Sequence, residues 1–111
     1  MMATTATGNC FEAALDYLLM HYDASLVLVH GIVSGQQRLT GRRFCHAWCE
    51  RGDIVYDYSN GRQIVMPREV YYRIGQIKHD QCCFYTQQQA RACCLHHETY
   101  GPWDERYLDH D

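Results

Sequence analysis

No stretch of this chain approaches the ~18 consecutive apolar residues that a membrane helix requires. The segment 25–33 is the nearest to one and is far too short. A membrane partner is therefore not expected. Residues 1–9 lack the basic start and apolar stretch of a secretory signal. The expected location is cytoplasmic, and export by a route without a signal is also compatible. An excess of basic charge is missing too: 10 Lys and Arg against 13 Asp and Glu leave a net charge of -3, which gives no electrostatic case for nucleic acid. There is no internal repeat and no linker-like stretch. With 111 residues, the chain is expected to form a single domain, 1–111, with one modest core. The C-x-x-C spacing of a zinc knuckle is also absent.

Cysteine itself is abundant. There are seven, so at least one has no partner within the chain. Four of them form the vicinal pairs Cys82-Cys83 and Cys93-Cys94, which suit neither a secreted disulfide framework nor ordinary zinc spacing. In a chain without a signal, most of these thiols are expected to be reduced and buried as small hydrophobes.

The most informative stretch is Phe44-Cys45-His46-Ala47-Trp48-Cys49-Glu50-Arg51-Gly52-Asp53-Ile54-Val55-Tyr56-Asp57. It predicts two strands joined by a two-residue loop, placed at Arg51-Gly52. That register sets Glu50 against Asp53, Trp48 against Val55 and His46 against Asp57. An imidazole facing a carboxylate across a strand pair has its tautomer fixed and its other nitrogen made more basic.

Upstream, Asn9-Cys10-Phe11-Glu12 predicts a helix start, with Asn9 as N-cap and Cys10 as first helical residue. Phe11, Ala14, Leu15, Leu18 and Leu19 form its apolar stripe, and the helix is expected to end near 20–22. A helix N-terminus favours a thiolate, and its free N–H groups can donate to an oxyanion. The run Leu26 to Val33 predicts a central strand, in which His30 is expected to be a core histidine. A loop follows over 34–43. Its Arg38, Arg42 and Arg43 form a solvated surface or an anion-binding rim. Gln63 to Met66 predicts another strand, stopped at Pro67. The segment 67–77 carries Val70, Tyr71, Ile74 and Ile77 at helical spacing, with strand as the alternative. Thr86 is expected to cap a last helix reaching about Glu98, with Ala90, Cys93, Cys94 and His97 on its inner face. Trp103 is expected in the core, and the acidic tail beyond it loose.

Taken together, these residues predict an α+β fold, with the N-terminal helix packed on a small antiparallel sheet and a C-terminal helix following. If that helix covers the face carrying His46, Trp48, Val55 and Asp57, Cys10 reaches the pair. Cysteine, imidazole and carboxylate are the parts of a nucleophile, its general base and an orienting group.

The motifs Gly8-Asn9-Cys10-Phe11, His46-Ala47-Trp48-Cys49-Glu50 and Val55-Tyr56-Asp57 resemble the core of the transglutaminase-like superfamily, papain-like cysteine enzymes with the order Cys, His, Asp. The similarity covers roughly residues 8–61. It implies that Cys10 is the nucleophile, His46 the base and acid, Asp57 the orienting carboxylate, and that Trp48 packs beneath the site. Asn9 would help the Cys10 N–H as the oxyanion donor. It further implies acyl transfer through a thioester on a peptide, protein or small amide, with no cofactor and no metal. The short interval between Cys10 and His46 implies a cleft that is minimal or built by the C-terminal third. Two other readings compete with this one. The first is an interaction domain that keeps the fold without the chemistry. The second is zinc binding by Cys82, Cys83, Cys93, Cys94, His96 and His97.

Overall fold

The computed structural model describes residues 10–21 and 23–108. Asn9, and with it the expected N-cap and oxyanion partner, lies outside the described residues.

Helix α1 (Cys10–Met20) leads into β1 (Leu26–Ser34), then β2 (Arg43–Arg51) and β3 (Ile54–Asp57). After β4 (Ile64–Pro67) come α2 (Arg68–Gly75), β5 (Cys82–Tyr85) and α3 (Gln87–His97). The strands form one antiparallel sheet in the order β4-β3-β2-β1-β5. The architecture is α+β, and the strand from Leu26 is central as expected. It pairs with β2 on one side and β5 on the other, and its residues are buried on both faces. Among the described residues, no helix is long and apolar enough to cross a membrane.

The alternation of β2 divides the interior in two. Ala47 and Cys49 point to a core with Ala14, Leu15 and Leu18 of α1, Leu26 and Leu28 of β1, and Ala90 of α3. Trp48 points the opposite way, to Val29, Val33, Val55, Ile77 and Cys82, where Tyr71 and Tyr72 of α2 close over it. The expected packing of α1 is therefore corrected. It covers the Ala47 and Cys49 face because Ala14, Leu15 and Leu18 find small partners there, while the Trp48 face is taken by α2.

Further expectations change, and the choice left open after Pro67 is decided. The loop of the β2–β3 hairpin is Gly52-Asp53, since Arg51 pairs with Ile54, Glu50 with Val55 and Cys49 with Tyr56. Gly52 takes φ +60°, a conformation that glycine adopts without steric cost at the first position of a tight hairpin turn. The segment after Pro67 is helical. Residues 82–85, given no element from the sequence, form the edge strand β5. The tail is packed as far as Tyr107: Trp103 and Tyr107 are buried, and the Tyr107 hydroxyl donates to the Gln81 carbonyl at 2.8 Å. The last helix keeps its expected cap. Thr86 Oγ1 accepts from the Gln89 N–H, and the Gln89 side chain accepts from the Thr86 N–H. His97, expected on its inner face, is exposed.

Candidate active site

β3 stops at Asp57, whereas β2 runs back to Arg43, so His46 lies beyond the last paired residues of the two strands. Extended by one residue, the register would set Trp48 against Asp57, which makes His46 and Asp57 diagonal neighbours. The correction is by two residues, so both side chains stay on the expected face. Diagonal neighbours are still within reach of long side chains. The His46 Nε2–H donates to Asp57 Oδ2 at 2.9 Å.

Asp57 is held on every side. Its Oδ2 also accepts from the Tyr71 hydroxyl at 2.7 Å, and its Oδ1 accepts from the Ser59 N–H at 3.1 Å and the Ser59 hydroxyl at 2.8 Å. With Asp57 on Nε2, the Nδ1 of His46 is left for a second partner. Cys10, the first residue of α1, lines the same cavity as the ring, and its thiol favours the ring's charged form. Cys10, His46 and Asp57 thus meet where α1 begins and β3 ends, and all three line one cavity of about 420 Å³.

Trp48 lies under His46, with ring centroids 6.0 Å apart and planes 28° from parallel. It is fully buried, and its indole N–H donates to Glu50 Oε2 at 2.8 Å. The buried Glu50 also accepts from the Tyr72 hydroxyl at 2.6 Å and from Arg68 Nε at 2.8 Å. A carboxylate taken out of water needs such partners. Through them it fixes the platform on which the imidazole rests.

The charges at the site are coupled. Burial opposes a charged His46, but the bonds to Asp57 and Cys10 outweigh it and hold the ring's pKa above its ordinary value. Burial likewise opposes a charged Asp57, and the donors His46, Tyr71 and Ser59 hold it well below the usual carboxylate range. Tyr71, buried and bonded to that carboxylate, is pushed far up and stays a neutral donor.

Tyr71, Ser59 and Glu50 were given no role at the site from the sequence, although Glu50 closes the His46-Ala47-Trp48-Cys49-Glu50 motif. Ser59 had a readable signal, because an Asp with a Ser two residues on forms a local turn. The cleft is walled by residues from 10–11, 33–46, 57–66 and 71–77, so the C-terminal third contributes to it only through Gly75 and Ile77. Arg43 is tied to Ser34, Gln76 and Gln81, which makes it a strut rather than part of an anion-binding rim. His30 is the core histidine expected.

The vicinal cysteines separate instead of converging. Cys82 joins the Trp48 core, Cys93 and Cys94 pack toward α1, and His96 and His97 are exposed. Among the described residues, no three His, Cys, Asp or Glu side chains are grouped to hold a metal ion. All seven thiols are free. Comparison with family models, curated proteins and solved structures finds no match. The functional reading therefore rests on the site itself.

Proposed function

We propose that the protein is a cysteine-dependent acyl-transfer enzyme of transglutaminase-like type, acting on an amide of a peptide, protein or small molecule. The observation that carries this reading is the meeting of a helix-start thiol, an imidazole and a fully bonded carboxylate at the wall of one cavity.

In this mechanism the Cys10 thiolate attacks the carbonyl carbon while His46 holds the proton on Nδ1. The N–H groups in the first turn of α1 have no intrahelical acceptor and donate to the oxyanion. The C–N bond then breaks, His46 gives its proton to the departing amine, and a thioester remains on Cys10. Water, or an acceptor amine, next attacks the thioester. His46 takes the proton of the incoming group, the C–S bond breaks, and the thiolate is restored. Asp57 keeps the ring in one orientation and stabilises its charged form. A reducing compartment such as the cytoplasm suits seven unpaired thiols.

The test is alkylation by iodoacetamide at pH 6, read residue by residue by mass spectrometry. An ordinary thiol, with a pKa of about 8.5, is almost wholly protonated there. Cys10 should label ahead of the other six, and His46→Ala should remove that lead. If Cys10 labels no faster than the rest, the enzyme reading falls and the interaction-domain reading takes its place.

A further inference from the structure

Resting on the acyl-transfer reading above, we propose that this site takes N-acyl amino acids, with a bulky apolar acyl group in the cavity and the amino-acid carboxylate on Arg62. The cavity of about 420 Å³ falls within the usual range of small-molecule sites, roughly 300–1,000 Å³. Beyond the reacting groups, its wall is formed largely by Val33, Phe44, Ile64, Met66, Ile74 and Ile77.

The polar side chains of that wall are already engaged within the protein. Ser34 Oγ donates to Gln76 and accepts from Arg43, Gln36 Nε2 donates to the Ser34 and Ile74 carbonyls, and Asp57 holds four hydrogen bonds. The surface offered to a ligand is therefore apolar, which selects an apolar acyl group over a polar one.

Arg62 is the exception. It is exposed, it is the only Lys or Arg lining the cavity among the described residues, and no described carboxylate lies within ion-pair distance of it. Its backbone N–H donates to the Ser59 carbonyl at 2.9 Å, and Ser59 in turn bonds Asp57, so Arg62 enters the cavity wall beside the reacting end rather than the apolar end. An amine that leaves from that end and carries a carboxylate meets a guanidinium suited to it. In the reaction, the acyl C–N bond breaks as the C–S bond to Cys10 forms, and His46 protonates the departing amino acid. Water then releases the fatty or aryl acid and restores the thiol.

Binding to the Cys10→Ala protein, measured by calorimetry, tests the proposal without turnover. N-octanoylglycine should bind at least 10-fold more tightly than N-acetylglycine and than N-octanoylglycinamide. Arg62→Gln should erase the preference over the amide and keep the preference over the acetyl compound. Equal binding of the octanoyl and acetyl compounds would overturn the apolar-acyl assignment. Equal binding of acid and amide to the Arg62-containing protein would overturn the role of Arg62. Neither result depends on the alkylation of Cys10, so failure of the enzyme reading would be seen separately.

Discussion

Asp57 is buried and accepts four hydrogen bonds, so the residue cannot be neutralised without orphaning a neighbour. Its carboxyl is held below the ordinary 3.8 and the His46 ring above the ordinary 6.5. The two shifts have opposite signs. Asp57 contributes stability that is present above pH 3.8 and is lost as pH falls through its lowered folded value. His46 contributes stability that is complete below pH 6.5 and is lost as pH rises through its raised folded value. Asp57→Asn should therefore cost about 3–5 kcal/mol, as breaking a largely buried ion pair does. That cost should be largest between pH 3.8 and 6.5 and shrink on both sides. Urea unfolding across pH, in the Cys10→Ala background so that the thiol does not titrate, gives the comparison. A cost that is flat with pH would mean that the pair is not ionised. Cys10, His46 and Asp57 were each readable as candidates because their chemistry is strong and their neighbours are distinctive. Tyr71 was not, since nothing in a helical face of Val70, Tyr71 and Ile74 says which hydroxyl reaches a strand fourteen residues earlier.

The β2–β3 hairpin shows how far local pattern reaches at the scale of elements. Alternation and a glycine announced two strands and a tight turn, and the parity of His46 and Asp57 survived a loop displaced by one position. What alternation leaves open is which side of a strand each helix covers. Small residues at Ala47 and Cys49 receive α1, while Trp48 and Val55 lie under α2, and this is settled only by how three helices divide two faces. β5 was unreadable for a related reason: four residues, two of them cysteine, carry too little periodicity to announce a strand. Gly31 makes the packing on the Trp48 side testable. A Cβ built there would lie 2.9 Å from Trp48 Cη2 and 2.7 Å from Cys82 Sγ, both closer than atoms normally approach. Gly31→Ala should cost about 1–3 kcal/mol through overpacking. It should also slow Cys10 alkylation at pH 6, because displacing Trp48 displaces the ring stacked on it. An unchanged urea midpoint would show that the indole has room to move, and that the platform is looser than its burial implies.

At the scale of the molecule, α1, the central strand, β5 and the segment 99–107 meet around His30. The ring is fully buried against Phe11, Tyr85 and Trp103 at centroid distances of 5.0, 5.1 and 5.0 Å, and among the described residues neither nitrogen has a hydrogen-bond partner. Cys83 faces it from β5, and the charge of His46 opposes its protonation. Burial, aided by His46, lowers its pKa to about 3, so it is neutral in the folded chain. In the unfolded chain it takes up a proton below about pH 6.5. The unfolded state therefore binds more protons over that interval, and His30 drains stability progressively as pH falls from 6.5 toward 3. His30→Leu removes both the unpaired nitrogens and the proton uptake. It should leave stability at pH 7 unchanged or higher, and it should lose less than the natural protein on going from pH 6.5 to 4.5, by urea unfolding at each pH. Parallel acid limbs in the two proteins would mean that the charged ring finds a partner in the folded state. Since Trp103 packs against it and Tyr107 bonds the carbonyl of His30 itself, that partner would have to come from a shift of the segment 99–107. The C-terminal segment would then move with acid, where the packing described here holds it as a fixed wall of the core.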